Sequence, residues 1–312
     1  MENKQTVDVI IPVYKPDNKL SKLINRLMRQ TVRPNHIYVI ETIDDGFSTS
    51  VELLSGSEEF MTVLSVKKED FDHGRTRNYG ALHSEADYML FMTQDAVPTG
   101  MHLIENLLVP FAEPNVAISY ARQIADKGAG VLEELTRTFN YPPGDRIKSV
   151  MDLDHLGIKT YFSSNVCALY KKEYFDKMGG FVNRTIFNED MIMSAKLIHA
   201  GYMVAYASSA KVIHSHKYTY MQQFRRNFDL GVSQKQYHEF FENVLSESEG
   251  IKMVKQTIGI LLKRGKGYLI PEYIVHSAFK FLGYRLGKHY EVLPEKYRVW
   301  CSMNQEYWQE EV

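Results

Sequence analysis

Three separated segments of the chain carry the side chains best suited to chemistry. They are, in chain order, Asp95, the pair Glu189 and Asp190, and the pair His214 and His216. A carboxylate can hold Mg²⁺ or Mn²⁺ against a diphosphate, because phosphate oxygens and water fill most of the octahedral shell. A second carboxylate can take a proton from a hydroxyl group as a new bond forms. The set therefore indicates metal-assisted transfer from a nucleotide-activated donor.

Each of these residues also has a plain structural explanation. An Asp after a strand is more often a turn or capping residue, and acids favour the helix N-terminus where Glu189 and Asp190 fall. A single histidine at a strand end is more often hydrogen-bonded in the core. Strand alternation puts His214 and His216 on one face. We favour His214 as the metal ligand and leave His216 open.

The first part of the chain alternates predicted strands and helices. Apolar runs predict strands at residues 7–14, 37–40, 61–66, 88–92 and 116–120. A 3.6-residue apolar period predicts a helix over residues 18–30. One strand–helix–strand unit of this spacing implies a right-handed crossover and parallel strands. Open α/β sheets bind ligands at the carboxyl ends of their strands. Asp95 follows directly after a predicted strand, so it lies where a ligand is expected.

The second part of the chain is less regular and becomes helical. A long excursion covers about residues 121–160. At the end of the first strand, Pro12 favours either a turn or an edge position. Further predicted elements are strands at 162–170, 202–206 and 211–216 and a helix at 191–199. We therefore predict a catalytic domain over residues 1–218 and a helical C-terminal region over residues 219–312.

Composition limits the partners and the location. The formal net charge is −1, so no nucleic-acid partner is expected. No apolar run approaches the roughly 20 residues of a membrane span, and the first residues lack a signal peptide's apolar segment, so a cytoplasmic location is expected.

Basic and apolar residues interleave between Lys252 and His289. They predict either a membrane-surface element or an appendage with a solvated basic face. Aromatic residues near the C-terminus either mediate a dimer or pack the last segment on the body, so the sequence does not decide whether the protein is a homo-oligomer.

Beyond these features, an ordered set of motifs resembles family 2 glycosyltransferases of the GT-A fold. The motifs are VIIPVY, HGRTRNYGA, TQDAVP, GGF followed by NEDM, AGY, and VIHSHKYTY. The resemblance covers about residues 7–235 and is nearer to bacterial rhamnosyltransferases that build cell-wall or capsular rhamnan. It implies an α/β fold of the GT-A type, with a mixed, mostly parallel sheet and a helical C-terminal region.

The resemblance also implies roles for individual residues. Thr93, Gln94 and Asp95 occupy the place of the family's D-x-D metal motif; its first acid is Thr93 here, so metal binding depends more on Asp95. Asp190 matches the catalytic base, and His214 matches the histidine that often joins the metal site. The predicted nucleotide-sugar-binding residues are Pro12, Val13, Tyr14, Glu41, Thr42, Arg77 and Gln94.

Two features of the site stay open at this point. Many relatives have an Asp for the nucleobase where this chain has Glu41 and Thr42, and the sequence does not decide among Glu41, Thr42 and Asp44. No acceptor-binding residue is predicted.

The implied reaction is an inverting transfer of L-rhamnose from dTDP-β-L-rhamnose to a hydroxyl of a lipid-linked saccharide. It would use Mg²⁺ or Mn²⁺ and serve cell-wall polysaccharide synthesis at the inner face of the bacterial plasma membrane. One alternative is a UDP-hexose glycosyltransferase of the same fold. Another is a non-catalytic sugar-nucleotide-binding scaffold, which Thr93 favours. The presence of Asp95, Asp190 and His214 together argues against the scaffold.

Overall fold

The computed structural model describes residues 5–44, 59–242, 244 and 247–311, and within them nine strands form one mixed sheet. The strands are β1 (Val7–Val13), β2 (His36–Ile43), β3 (Met61–Lys67), β4 (Tyr88–Met92), β5 (Val97–Pro98), β6 (Val116–Ile124), β7 (Arg146–Lys148), β8 (Cys167–Lys171) and β9 (Met203–Ile213). Their order is β3-β2-β1-β4-β8-β6-β9-β5, with β7 paired to β9. Strands β1 to β4 are parallel, whereas β8 is antiparallel to both of its neighbours. The predicted mixed, mostly parallel sheet is therefore confirmed.

Helices pack on the sheet and continue beyond it. They are α1 (Asn18–Leu27), α2 (His73–Ala81), α3 (Leu103–Leu108), α4 (Val131–Asn140), α5 (Leu153–Leu156), α6 (Lys172–Lys177), α7 (Glu189–His199), α8 (Tyr220–Gln236), α9 (His238–Phe241), α10 (Glu247–Lys263), α11 (Ile270–Lys288) and α12 (Glu295–Cys301). Neighbouring residues of β1 enter different apolar clusters: Ile11 packs with the cluster of Leu20, and Ile10 with that of Ile40. Both faces of β1 are thus buried, as expected for a parallel strand covered on two sides.

Three sequence-based expectations about strands are wrong in detail. Of the two alternatives for Pro12, the edge position is wrong, because β1 lies between β2 and β4. The strand ends one residue later, at Val13, and its pairing with β4 already ends at Ile10, so only β2 is paired with β1 at Pro12. The strand predicted at 162–170 begins only at Cys167, because residues 163–165 turn toward α7 and bond to its first turn. The strand predicted at 211–216 is the end of β9, which stops at Ile213, so both histidines lie beyond it.

The last helices pack closely on one another. A side chain at Gly283 or Gly287 of α11 would place its Cβ 2.2 or 2.1 Å from a carbonyl oxygen of α8, so only glycine permits this contact. A further apolar cluster around Phe228 and Trp308 joins α8 to the end of the described chain. Among the described helices, none has the length and apolar character required to cross a bilayer.

Candidate active site and metal centre

The pairing of two short segments brings Asp95 to the histidines. Strand β5 is antiparallel to the end of β9, with Val97 opposite Ile213. Asp95 precedes Val97 by two residues, and His214 and His216 follow Ile213, so this register sets Asp95 against the histidine segment. The two-residue strand β5 therefore positions the site.

The three side chains converge with their ligand atoms together. Asp95 Oδ1 is 3.5 Å from His214 Nε2, and Asp95 Oδ2 is 3.4 Å from His216 Nε2. The two Nε2 atoms are 2.8 Å apart. Two nitrogens that each bind one ion at about 2.1 Å are roughly 3 Å apart, so this donor set fits a divalent cation. Both histidines, and not His214 alone, belong to this cluster.

Gln123 orients His214. His214 Nδ1 donates to Gln123 Oε1 at 3.0 Å, and Arg137 donates to the same oxygen. The Gln123 amide nitrogen donates to Ser164 Oγ at 3.0 Å, which fixes the orientation of the amide. With its proton on Nδ1, the neutral imidazole directs the lone pair of Nε2 toward Asp95.

The charge state of the histidines suits a metal ligand. Burial lowers the pKa of His214 to about 2, and the neighbouring His216 and the positive charge of Arg137 act in the same direction. Burial also lowers the pKa of His216. Both imidazoles are therefore neutral near pH 7, which is the form that binds metals.

Asp190 is held at the start of α7. Asn188 just before the helix adopts a left-handed conformation with φ of 68°. The backbone N–H groups of Asn165 and Met191 donate to the Asp190 carboxylate at 3.1 and 2.7 Å. Burial, followed by the charge of Glu189, raises the pKa of Asp190 to about 7. A carboxyl group with this pKa is suited to general base catalysis near neutral pH.

Glu189 lies in a different environment from its neighbour. Its Oε1 is 3.2 Å from Arg77 NH1 and accepts a hydrogen bond from Asn165 at 3.2 Å. Burial alone would raise the pKa of Glu189, but the charges of Arg77 and His73 outweigh it, so the pKa is lowered. Arg77, predicted to bind the nucleotide sugar, is thus placed against Glu189, and its role toward the donor stays a prediction.

The other predicted nucleotide-sugar residues gather where β1 and β2 end. They are Pro12, Val13, Tyr14, Glu41, Thr42 and Gln94. Gln94 accepts from the Tyr14 N–H at 2.8 Å and donates to the Tyr14 carbonyl at 3.1 Å, which fastens β1 to the turn of Asp95. The Tyr14 hydroxyl donates to Asp44 at 2.9 Å. Glu41 and Thr42 are buried, and Asp44 is the more exposed acid at this end.

One open cavity of about 940 Å³ extends from Asp190 to the two histidines. Asp190, His214 and His216 line it, together with Thr93. The Thr93 hydroxyl has no hydrogen-bond partner in the described part of the chain. Residues of α4, α8 and α11 close the other sides. A carboxyl group with a raised pKa and a cluster that could hold a metal ion thus share a cavity beside the strand ends of a mixed α/β sheet, an arrangement that agrees with the GT-A class implied by the motifs.

Gln123 and the walls from α8 and α11 were missed by sequence reasoning. Gln123 follows Tyr120 by three residues in the segment YARQ near the end of β6, so the strand-end rule applied to β6 would have indicated it. No sequence signal points to the walls from α8 and α11, because their place in the cavity depends on how these helices pack on the sheet.

Comparison with known proteins agrees with this class. The family described as "Glycosyl transferase family 2" matches residues 8–179, and the chain belongs to this family. It is 36% identical over 308 residues to the O-antigen chain rhamnosyltransferase RfbN of Salmonella typhimurium, covering 97% of this chain and 96% of that protein. It is also 36% identical over 307 residues to the O-antigen chain rhamnosyltransferase WbaN of Salmonella anatum, covering 96% and 95%.

A solved structure shares the fold at low sequence identity. A mannosyltransferase of Pyrobaculum calidifontis, in complex with GDP-Man and Mn²⁺, superposes with a TM-score of 0.64 at 13% identity. The match covers 92% of this chain and 88% of that one. The GT-A fold implied by the motifs is therefore confirmed.

Proposed function

We propose that this protein is a rhamnosyltransferase of cell-surface polysaccharide synthesis that transfers L-rhamnose from dTDP-β-L-rhamnose to a saccharide hydroxyl. The observation that carries the proposal is the likeness, at 36% identity over nearly the whole length, to two O-antigen chain rhamnosyltransferases. Such coverage includes the helices that complete the cavity as well as the family 2 region. The proposal therefore includes a saccharide acceptor as well as the donor.

In the proposed reaction, Asp190 is the general base. Its carboxylate accepts the proton of the acceptor hydroxyl as the hydroxyl oxygen forms a bond to the anomeric carbon. The bond from that carbon to the donor phosphate oxygen breaks, and its electron pair leaves with the nucleoside diphosphate. Attack opposite the leaving group inverts the anomeric configuration. The backbone donors from Asn165 and Met191 orient the carboxylate for this step.

Asp95, His214 and His216 would hold a divalent cation in this proposal. When bound, such an ion supplies positive charge to the departing diphosphate. Of the two expected ions, Mn²⁺ suits the cluster better than Mg²⁺, because imidazole is a poorer ligand for Mg²⁺ than oxygen is. Gln123 contributes by holding His214 in the tautomer that leaves Nε2 free.

We further propose that residues 219–312 bring the protein to the inner face of the membrane, where a lipid-linked acceptor would lie. Helix α11 exposes Ile274, Phe281 and Leu282, which are 50%, 53% and 57% exposed. Helix α10 adds the exposed cations Lys255 and Lys263. Each basic residue near an anionic membrane surface contributes about 1 kcal/mol of binding free energy. In this proposal, the exposed apolar residues of α11 add to the binding by the cations of α10.

A transfer assay tests the catalytic proposal. The protein is incubated with dTDP-β-L-rhamnose and a synthetic saccharide acceptor, with and without Mn²⁺, and UDP-hexoses serve as competing donors. We expect rhamnosyl transfer that Mn²⁺ stimulates and that Asp95→Asn abolishes. Transfer from a UDP-hexose without transfer of rhamnose would instead support the alternative donor.

Vesicle flotation tests the membrane proposal separately. The protein should float with vesicles that contain anionic lipid at low salt and less at high salt, because salt screens surface charge. Phe281→Ser should weaken the binding, and neutral vesicles are the control. A protein that stays with the soluble fraction at low salt would refute the membrane contact.

A further inference from the structure

Lys148 is a buried lysine that the proposed reaction does not use. It lies in the three-residue strand β7 and is only 3% exposed. Its side-chain nitrogen donates hydrogen bonds to the carbonyl oxygen of Lys159 at 3.1 Å, to the carbonyl oxygen of Phe162, and to the Tyr120 hydroxyl at 3.3 Å. The same nitrogen lies 4.9 Å from the centre of the Tyr120 ring. Lys148 thereby fastens the backbone of residues 159–162 to β6, the strand that carries Tyr120.

This lysine is costly for the folded protein. All three of its hydrogen-bond partners are uncharged oxygen atoms. Burial lowers the pKa of Lys148 to about 7, and the charge of Arg146 acts in the same direction. An apolar side chain of similar length would avoid the cost of burying an amine. What Lys148 contributes is therefore the set of hydrogen bonds, and its role depends on the backbone that these bonds hold.

The backbone held by Lys148 continues directly into the active-site cavity. Residues 162–166, which we call the linking segment, all line this cavity. The Asn165 N–H donates to the Asp190 carboxylate at 3.1 Å, and the Ser163 hydroxyl donates to the Asp190 carbonyl oxygen at 3.2 Å. The linking segment therefore holds Asp190 by both its side chain and its backbone.

The linking segment also contacts the other side of the cavity. Ser164 Oγ accepts a hydrogen bond at 3.0 Å from the amide of Gln123, the residue that orients His214. The Val166 carbonyl oxygen accepts from the Thr93 N–H at 3.2 Å, at the start of the predicted metal motif. One short stretch of backbone is thus bonded both to the carboxyl group and to the residues around the proposed cation.

We propose that Lys148 is a positioning residue for glycosyl transfer, because it fixes the start of the linking segment and thereby the placement of Asp190 relative to the metal cluster. Lys148 does not belong to the described lining of the cavity, so it acts through the backbone of Phe162 and the residues that follow. A misplacement of about 1 Å between reacting groups can cost on the order of 10²-fold in rate. This inference rests on the proposed function, because it concerns the geometry of the same reaction.

Hydrogen exchange followed by mass spectrometry tests the link to the segment without donor, acceptor or metal. Lys148→Met keeps the length of the side chain and removes its donors. The amides of residues 163–167 should then exchange about tenfold faster than in the wild type, relative to those of β4, since lost hydrogen bonds favour local opening. Ser84→Ala is the matched control, because it removes a buried hydrogen bond of 2.7 Å to Asp8 at the opposite end of β1. It should leave exchange in the linking segment unchanged.

Kinetics test the effect on the reaction, with each variant assayed below its Tm. Lys148→Met should lose about tenfold to a hundredfold in kcat with little change in donor KM, whereas Ser84→Ala should keep the wild-type values. The pH midpoint of kcat/KM should also rise in Lys148→Met. The Asn165 N–H stabilises the charged form of Asp190, so a weaker bond raises the pKa of that carboxyl group. Lys148→Met leaves unchanged the other titratable groups that interact with Asp190: Glu189, Arg77, Tyr141 and Tyr170.

A donor-retaining variant separates hydrogen bonding from the loss of a lysine as such. Lys148→Gln keeps two N–H donors at a shorter reach, so its kcat should lie between those of the wild type and Lys148→Met. Thermal unfolding verifies that each variant is folded. If Lys148→Met does not fold, Lys148→Gln replaces it in both measurements, with smaller changes expected in the same directions.

The outcomes distinguish this inference from the proposed function. Exchange of residues 163–167 at the wild-type rate in Lys148→Met would overturn the inference, as would a wild-type kcat with an unchanged pH midpoint. An equal loss of kcat in Ser84→Ala would also overturn it, because lost stability alone would then explain the effect. Faster exchange of residues 163–167 in a protein that transfers no rhamnose would support the link from Lys148 to Asp190 and refute the donor assignment.

Discussion

Replacing Gln123 by Met should weaken metal binding, although Gln123 is not itself a metal ligand. Gln123 Oε1 accepts the proton of His214 Nδ1 at 3.0 Å, and this bond keeps Nε2 unprotonated toward Asp95. Methionine has a similar length but offers no comparable acceptor, so His214 would be free to rotate and to place its proton on Nε2. In that tautomer the nitrogen cannot bind a cation.

The expected magnitude follows from what the substitution removes. Loss of a partner that orients a metal-binding histidine costs about tenfold to a hundredfold in metal affinity, or roughly 1.4–2.7 kcal/mol. The substitution also leaves Arg137 and Ser164 without their Gln123 bonds. Each unsatisfied buried group costs about 1–3 kcal/mol of folding free energy, so a lower Tm is expected as well.

Gln123→Glu is the matched variant that separates the two effects. Glutamate retains an acceptor for His214 Nδ1 and can pair with Arg137, so the His214 tautomer is preserved. Calorimetric titration with Mn²⁺ and the Mn²⁺ concentration for half-maximal transfer are measured for both variants below their Tm. We expect Gln123→Glu to bind Mn²⁺ at least as tightly as the wild type, and Gln123→Met to bind it more weakly. Equal Mn²⁺ affinity in wild type and Gln123→Met would refute the orienting role.

Three further predictions concern titratable and charged side chains. Asp190→Asn should fold and bind dTDP but lose about 10²- to 10⁴-fold in kcat; in the wild type, kcat/KM should rise with pH through about 7, because only the Asp190 carboxylate accepts a proton. A flat profile between about pH 5.5 and 8 would contradict this assignment. Burial raises the pKa of Asp229 to about 7, above its unfolded value, so the folded state binds the extra proton and stability should fall as pH rises from about 4 to 7. Asp229→Asn should show a smaller fall in Tm over that range, and identical pH dependence in both proteins would exclude the effect. Lys280→Met should raise the free energy of unfolding by about 1 kcal/mol or less, and Tm with it, because it removes a partly buried cation whose pKa burial lowers; a lower Tm would mean that Lys280 has a structural role.

Local periodicity was enough for the core of the sheet. The apolar runs of β1 and β4 and the spacing of Leu20, Leu23 and Leu27 in α1 depend only on which side of an element is buried. The position of Asp95 after β4 follows from the same pattern. The apolar pattern fails where polar contacts override it. Residues 163–165 look like part of a strand, yet their hydrogen bonds to Asp190 and Ser194 draw them away from the sheet.

The sequence by itself determined the fold class, the family and the residue types of the site, because short-range alternation and ordered motifs are properties of neighbouring residues. Only the tertiary structure decided that His216 joins His214, that Gln123 orients His214 from 91 residues away, and that Lys280 lines the cavity. Each of these depends on the pairing of β9 with β5 and β6 or on the contact of α8 with α11. Contacts between segments so distant in the chain arise from packing the whole molecule, and no local pattern encodes them.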